Sequence, residues 1–257
     1  MIKRPRVIPT LLVNNGELVK TKQFHNPRYL GDPINAIKIF NEKEVDELAI
    51  MDIGASQSNG SIDYNLLGSM ASEAFMPLSY GGGIQSIEDM NTIFSLGYEK
   101  VIINTAAVKN PNIIRAASER FGSQSIVISI DYKQTFWGCN CYVKDGKEKV
   151  KLSPVTWAKQ VEELGAGEII LYNISHDGMK NGYDIPTLSE VAKETTIPVI
   201  ACGGASQIQD MKDCLDITGV HAVAAGSMFV FFGKLDAVLI NYPTEIELLE
   251  SGIYERC

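Results

Sequence analysis

The chain has 257 residues, of which 45% are hydrophobic and 21% charged, as is usual for a folded protein with a sizeable core. Its formal net charge of −8 argues against nucleic acid or an anionic membrane as the main partner, because both require a basic face. No apolar run approaches the ~20 residues of a membrane span, and the N-terminus lacks the pattern of a secretory signal. We therefore expect a cytoplasmic protein.

Short apolar runs rich in Val and Ile alternate with helix-length segments along the whole chain. Such nearly uniform runs are typical of parallel strands that are buried on both faces. The predicted strands are Val7–Val13, Glu47–Asp52, Phe75–Tyr80, Lys100–Asn104, Ser125–Asp131, Glu168–Asn173, Pro198–Cys202 and Ala222–Ala225. Eight β-α units without a break in composition predict one α/β domain over residues 1–257, a (β/α)8 TIM barrel, rather than an open doubly wound sheet.

Capping residues and prolines mark where several of the intervening helices begin. Ser86 is an N-cap candidate for a helix over Ser86–Leu96, with acidic residues in its first turn. Pro111 predicts a helix over Pro111–Arg120, and Pro154 and Pro186 begin two more.

An insertion follows the fifth strand. The segment 132–151 alternates in polarity and contains Asp145-Gly146, which predicts an inserted β-hairpin. It also carries Phe136 and Trp137, which suit either contact with a third protein or a covering flap, and the pattern leaves both open.

The second half of the chain repeats the first at an offset of 121 residues, which predicts half-barrels at about 1–122 and 123–257. The Gly-rich turn after strand three returns after strand seven. The repeat pairs Glu47 with Glu168, Asp63 with Asp184, Gly83 with Gly204, Asp89 with Asp210 and, after one inserted residue, Asn104-Thr105 with Gly226-Ser227.

Each half therefore carries a Gly-rich turn and, one strand later, a hydroxyl. Glycines let an anion approach backbone N–H groups closely, and loops after the strands form the active face of such barrels. Two copies favour phosphate binding over glycines that serve only tight turns, and predict a phosphorylated small molecule with a phosphate at each end. The predicted phosphate-binding residues are Gly83, Asn104, Thr105, Asp177, Gly178, Gly204, Gly226 and Ser227.

Charged residues mark both ends of the predicted strands. Asp131 ends an otherwise apolar strand on the active face, where a carboxylate can serve as general acid or base. Arg6, Glu47, Lys100 and Glu168 stand at strand starts, where they either form a neutral ring of charges across the bottom opening or are solvated. Cys139 and Cys141 lack a second pair of Cys or His nearby, so we predict no metal site.

The chain resembles, over nearly its whole length, the HisF-type cyclase subunit of imidazole glycerol phosphate synthase. The stretches that carry the resemblance are Arg6-Val-Ile-Pro9, Asp46-Glu-Leu, Asp52-Ile-Gly-Ala-Ser56, Gly81-Gly-Gly-Ile, Ile103-Asn-Thr-Ala-Ala-Val108, Phe121-Gly-Ser-Gln, Ile130-Asp131, Gly165-Ala-Gly-Glu-Ile-Ile, Asp177-Gly, Gly182-Tyr-Asp184 and Gly203-Gly-Ala205.

The resemblance implies an ammonia-dependent cyclase without a cofactor. A separate HisH-like glutaminase would dock on the N-terminal face of the barrel and release ammonia through it. The family's gate of charges maps onto the four residues at the strand starts, and Lys20 and Asp52 are implied as substrate contacts. In the family, ammonia attacks a bis-phosphorylated aminoimidazole ribonucleotide, and aspartates on strands one and five supply the acid–base chemistry.

The sequence departs from this pattern at strand one, where Leu12 stands at the position of the aspartate. An aliphatic side chain cannot transfer a proton, and loss of a general acid or base typically costs about 10²–10⁴-fold. We therefore favour a paralogue class that is thought to supply ammonia to a sugar amidotransferase for surface-polysaccharide (lipopolysaccharide) sugars. The alternatives are a working histidine-biosynthesis cyclase and a non-catalytic barrel that activates a glutaminase. By the resemblance, the enzyme class expected for this chain is a synthase subunit of the carbon–nitrogen lyase or cyclase type.

Overall fold

The computed structural model describes residues 4–57, 61–135 and 138–254, so Phe136 and Trp137 lie outside the described residues. Eight parallel strands pair in a closed circle, in which the last strand joins the first. They are β1 Arg6–Asn14, β2 Leu48–Asp52, β3 Leu78–Gly81, β4 Lys100–Ile103, β5 Ile126–Thr135, β6 Glu168–Asn173, β7 Val199–Cys202 and β8 Ala222–Ala225. The predicted (β/α)8 barrel is confirmed.

Helices cover the outside of this barrel. One follows each strand: α1 Pro33–Glu42, α2 Tyr64–Glu73, α3 Ile87–Ser95, α4 Asn112–Phe121, α5 Pro154–Glu163, α6 Ile185–Glu194, α7 Ile208–Thr218 and α8 Glu245–Glu250. Shorter helices lie at Ile53–Gln57, Thr105–Lys109 and Ser227–Val230, with a 3₁₀ turn at Ser123–Ser125. None of the described helices is long and apolar enough to cross a membrane.

Two apolar layers hold the barrel together, because successive side chains of a strand point to opposite faces. Along β1, Val7, Leu11 and Val13 pack outward into the layer between strands and helices. Ile8 points inward into the barrel interior. The buried members of that inner layer are Ile8, Ala49, Ile102, Val127, Ile170, Tyr172, Ile200, Cys202, Ala222 and Ala224.

Several residues that repeat between the two halves are helix caps. Asp63 and Asp184 are the N-caps of α2 and α6, and their carboxylates accept backbone N–H groups of the first turn. Asp89 and Asp210 are the third residues of α3 and α7, where they complete capping boxes. Each cap satisfies helix N–H groups that have no partner within the helix, so these aspartates fix where the helices begin.

The predicted bounds were wrong at several strand and helix ends. β3 begins at Leu78 rather than Phe75, whose side chain is 90% exposed. β4 ends before Asn104, which is the N-cap of the next short helix. β5 continues past Asp131 to Thr135 because the inserted hairpin pairs with it, and α4 begins after Pro111.

Hairpins extend β1 and β5 above the barrel. The strand Gly138–Val143 pairs antiparallel with β5, and Glu148–Lys149 pairs with it in turn, within the segment where we predicted the insertion. After β1, Glu17–Lys22 pairs antiparallel with β1 and with His25–Gly31. This first hairpin was not predicted, although Asn15-Gly16 is a strong hairpin turn signal.

A third, smaller hairpin, Phe231–Phe232 with Ala237–Val238, follows β8 and was also not predicted. Its strands have two residues each, too short for the period-2 alternation that identifies a strand in sequence.

Candidate active site

A cavity of about 280 Å³ opens at the carboxyl ends of the strands. The carboxyl ends bring together side chains from most of the strands and from both long hairpins. Of the residues predicted for the site, those lining this cavity are Leu12, Asp52, Gly83, Asn104, Thr105 and Asp131. The remaining predicted phosphate residues lie in a neighbouring small pocket.

Asp131 lies on the inner side of β5 and is buried. Ser129 Oγ donates a hydrogen bond to its Oδ1 at 2.7 Å. Burial raises the pKa of Asp131 to about 7, against the hydrogen bond from Ser129 and with further upward contributions from Asp145 and Asp177. A carboxyl group with a pKa near neutrality is well suited to give or take a proton.

Leu12 points into the same cavity from β1 and is only 4% exposed. At the position where the resemblance led us to expect a second aspartate, the structure therefore places an apolar side chain that lines the cavity. Asp52 and Asp145 are the other carboxylates that line the described cavity wall. Burial raises the pKa of Asp52, whose Oδ1 accepts a hydrogen bond from Ala55 N at 2.9 Å.

The Gly-rich turns of the two halves have the same backbone geometry. Gly82 and Gly203 both have positive φ values, +134° and +98°. A Cβ at Gly82 would lie 2.3 Å from the carbonyl oxygen of Asp52, and one at Gly203 would lie 2.7 Å from that of Asn173. The two contacts are related by the 121-residue offset. At both glycine positions there is no room for a side chain larger than hydrogen.

The pocket of the second half differs from that of the first, because a lysine already fills it. It is lined by the predicted residues Asp177, Gly178, Gly204, Gly226 and Ser227 together with Lys20, but its volume is only about 10 Å³. Lys20 arrives from the hairpin after β1, and its Cε would lie 3.0 Å from a Cβ placed at Gly226.

Asp177 holds Lys20 in that position. Its Oδ1 is 2.6 Å from Lys20 Nζ and accepts a hydrogen bond from the Tyr172 hydroxyl at 2.9 Å. Its Oδ2 accepts the Thr21 hydroxyl at 2.9 Å. Both charged side chains are almost fully buried, with exposed fractions of 4% and 3%. The carboxylate predicted to bind phosphate therefore anchors the first hairpin.

The four charged residues at the strand starts meet in one cluster at the opposite end of the barrel. Lys100 Nζ lies 2.9 Å from a carboxylate oxygen of both Glu47 and Glu168. Arg6 bridges the same two carboxylates from the other side. Burial opposes the charge on Arg6, but Glu168 and Glu47 outweigh it and raise its pKa. The ring is electrically neutral and alternates in sign.

No cluster of three or more potential metal ligands occurs among the residues that the structure describes. Burial raises the pKa of both the Cys139 and the Cys141 thiol to about 12, so both are protonated at neutral pH. The cavity residues that the sequence did not indicate include three lysines, Lys109, Lys144 and Lys147. The Asp145-Gly146 signal predicted the turn that carries two of them, but not that this turn folds back over the cavity.

Fold and cavity together define a TIM-barrel protein whose cavity lies at the carboxyl ends of the strands, where enzymes of this fold carry their active sites. The sequence model of the family described as histidine biosynthesis protein matches residues 6–236. The chain therefore belongs to that family.

Three relatives indicate which type of subunit this chain resembles within the family. A Pseudomonas aeruginosa protein named "putative imidazole glycerol phosphate synthase subunit hisF2" is 51% identical over 98% of this chain and 100% of that protein. A Vibrio vulnificus protein, whose name differs only in its last term, hisF3, is 44% identical over 95% of both chains. The imidazole glycerol phosphate synthase subunit HisF of Lactococcus lactis is 41% identical over 87% of both chains. The chain is thus a HisF-like subunit of the imidazole glycerol phosphate synthase type.

Proposed function

We propose that this chain is the synthase subunit of a glutamine amidotransferase that delivers ammonia through its barrel to a sugar of a surface polysaccharide. A HisH-like glutaminase would dock on the face that carries the ring of charges, and a sugar amidotransferase would receive the ammonia at the other face. The observation that carries this proposal is the contrast between a ring with all four charged residues in contact and a cavity lined by Leu12 as well as by Asp131.

The barrel interior between ring and cavity suits a neutral molecule. Its side chains are predominantly apolar, and transfer of an ion into such surroundings is far more costly than transfer of neutral ammonia. Thr10 lies at the middle of β1, and its buried hydroxyl has the Cys202 thiol as a neighbour but no nitrogen or oxygen partner within hydrogen-bond reach among the described residues. That hydroxyl offers ammonia one polar contact along the path.

The chemistry at the cavity supports ammonia delivery better than ring closure. Cyclisation in the family relies on two aspartates, and only Asp131 of that pair is present. A second candidate is a cyclase in which Asp52 replaces the missing acid, because Asp52 lines the same cavity and has a raised pKa. Two bonds, from the backbone of Ala55 and from the Tyr80 hydroxyl, engage its carboxylate, which favours a structural role.

We assign this chain to a paralogue class with a retained glutaminase partner and a changed ammonia acceptor.

Glutamine hydrolysis tests the proposal that a HisH-like glutaminase binds this chain. Purified full-length chain is mixed with a HisH-type glutaminase, and glutamate release is measured with and without the chain. We expect the chain to raise hydrolysis at least tenfold. The bis-phosphorylated aminoimidazole ribonucleotide, added with ammonium salt, should show no absorbance loss from ring closure beyond the uncatalysed rate.

Two results would count against the proposal. Ring closure at an appreciable rate with ammonium alone would favour the cyclase that uses Asp52. Glutaminase stimulation that survives, unchanged, in Asp131→Asn without any transfer of ammonia to an acceptor would favour a non-catalytic activating barrel.

A further inference from the structure

The barrel carries two hairpins that are built in the same way at equivalent places of the two halves. The first hairpin follows β1 and pairs with it antiparallel, with Leu12 opposite Val19. The second follows β5 and also pairs antiparallel, with Asp131 opposite Tyr142. Both extend the first strand of a half-barrel beyond its active face.

Each hairpin reaches across to the Gly-rich turn of the other half. The first hairpin places Lys20 among the second half's turn residues, as described above. The second hairpin places its tip, residues 144–147, on the first half: the backbone N–H of Lys144 donates to Thr105 Oγ1 at 3.1 Å. Lys144 and Lys147 line the large cavity beside Gly83.

The position of the tip is fixed by contacts on its other sides. Lys133 Nζ donates to the carbonyl oxygen of Gly146 at 3.1 Å. Gly146 has a φ of +73°, and a Cβ there would lie 3.0 Å from Ile174 Cδ1 and 3.2 Å from Phe24 Cδ2. Phe24 belongs to the turn of the first hairpin, so the two hairpins meet above the cavity.

The tip changes what Thr105 can offer a ligand. Because its hydroxyl oxygen accepts the N–H of Lys144, the hydroxyl proton remains available to an anion. Its other polar neighbour within reach, Asn104 Oδ1, is at the limiting distance of 3.5 Å. Ser227, its counterpart by the repeat, instead lies in a pocket that Lys20 fills.

The tip also brings positive charge to the open cavity. Lys109, Lys144 and Lys147 line one cavity with the Gly83 turn. Lys144 pairs with Glu148 at 2.6 Å and Lys147 with Asp145 at 3.7 Å, and both lysine side chains are more than half exposed. Exposed ion pairs are worth little, so these ammonium groups can turn to a doubly charged ligand at small cost.

We propose that the tip of the second hairpin completes the phosphate site of the opposite half, with Lys144 and Lys147 as phosphate-binding side chains. The ligand class is a phosphate monoester whose dianionic phosphate lies between the Gly83 turn, the Thr105 hydroxyl and the two ammonium groups. The inference rests on the phosphate sites that the sequence repeat predicts and not on the ammonia transfer of the proposed function, so it is testable on the isolated full chain.

The test is a titration of the ¹⁵N-labelled full chain with inorganic phosphate, followed by NMR. The amides of Thr105 and Ser227 report the two phosphate turns separately. In the double variant Lys144→Gln/Lys147→Gln we expect phosphate affinity at Thr105 to fall about tenfold, because two charge-assisted contacts are lost. The response of the Ser227 amide, whose pocket Lys20 fills, should be the same as in the wild type.

The control is the double variant Lys149→Gln/Lys151→Gln. It removes the same charge from exposed positions of the insertion that do not line the cavity. We expect both titrations to remain within twofold of the wild type. The proposal is overturned if the tip variant behaves like this control, if it weakens both turns equally, or if phosphate leaves the Thr105 amide unmoved in the wild type. Lys147→Arg, which keeps the charge, should retain most of the affinity.

Discussion

The Gly-rich turns of the two halves have the same backbone geometry, but the space beside them differs. The first Gly-rich turn lines a cavity of about 280 Å³ that it shares with the other strand ends, whereas the pocket at the second turn, which Lys20 and Asp177 also line, has a volume of only about 10 Å³. Gly82 lies against the carbonyl oxygen of Asp52, and Gly203, 121 residues later, lies against that of Asn173. The two turns therefore have the same backbone geometry at the repeat offset, and the two hairpins place different side chains beside them.

Of the changes that test this comparison, Asp177→Ala should cause the largest loss in the free energy of unfolding. The change leaves the ammonium of Lys20 buried without its carboxylate and also removes acceptors of Thr21 and Tyr172. Breaking a buried charge pair from one side typically costs about 3–5 kcal/mol, and we expect a loss of that size in urea unfolding.

The matched control is Asp236→Ala, since Asp236 pairs with Lys180 near the surface of the same face. Exposed pairs contribute about 1 kcal/mol or less. Equal losses in the two variants would show that Asp177 does not anchor the first hairpin.

Asp131→Asn should alter how stability depends on pH. Because burial holds the pKa of Asp131 at about 7, the unfolded chain releases this proton near pH 4 while the folded chain keeps it until about pH 7. As the pH rises from about 4 to about 7, the wild type therefore loses stability relative to the Asn variant. The difference should be absent near pH 4 and reach at most about 4 kcal/mol in favour of Asn at pH 8, since one pKa unit corresponds to about 1.4 kcal/mol.

Urea unfolding of both proteins at pH 4, 6 and 8 measures this difference. A constant difference across the three values would contradict a raised pKa at Asp131.

Much of the fold followed from local signals in the sequence. Short apolar runs located all eight barrel strands, and Ser86 located the start of α3, because burial and capping act over a few residues. The strand end at Asp131 was wrong, because a later segment pairs with β5 and prolongs it. Only tertiary contact could reveal that.

The site was predictable to a smaller extent. Repetition pointed to both Gly-rich turns, but Lys20 and Asp177 are 157 residues apart, and no local pattern predicts that they pair. The same holds for the tip of the second hairpin, whose turn the sequence predicted and whose position over Thr105 it did not. The Lys20–Asp177 pair and the position of the tip over Thr105 both depend on where a hairpin folds back. That in turn depends on contacts between distant segments, such as the close approach of Phe24 to Gly146.

The most direct test of the account is ammonium-dependent ring closure by three forms of the chain. The substrate is the bis-phosphorylated aminoimidazole ribonucleotide, and the forms are wild type, Leu12→Asp and Leu12→Asn. Asparagine matches aspartate in size but cannot transfer the proton. We expect Leu12→Asp to exceed both others by about 10²–10⁴-fold, the usual contribution of a general acid or base. Wild-type turnover equal to that of Leu12→Asp would contradict the claim that Leu12 separates this barrel from a cyclase.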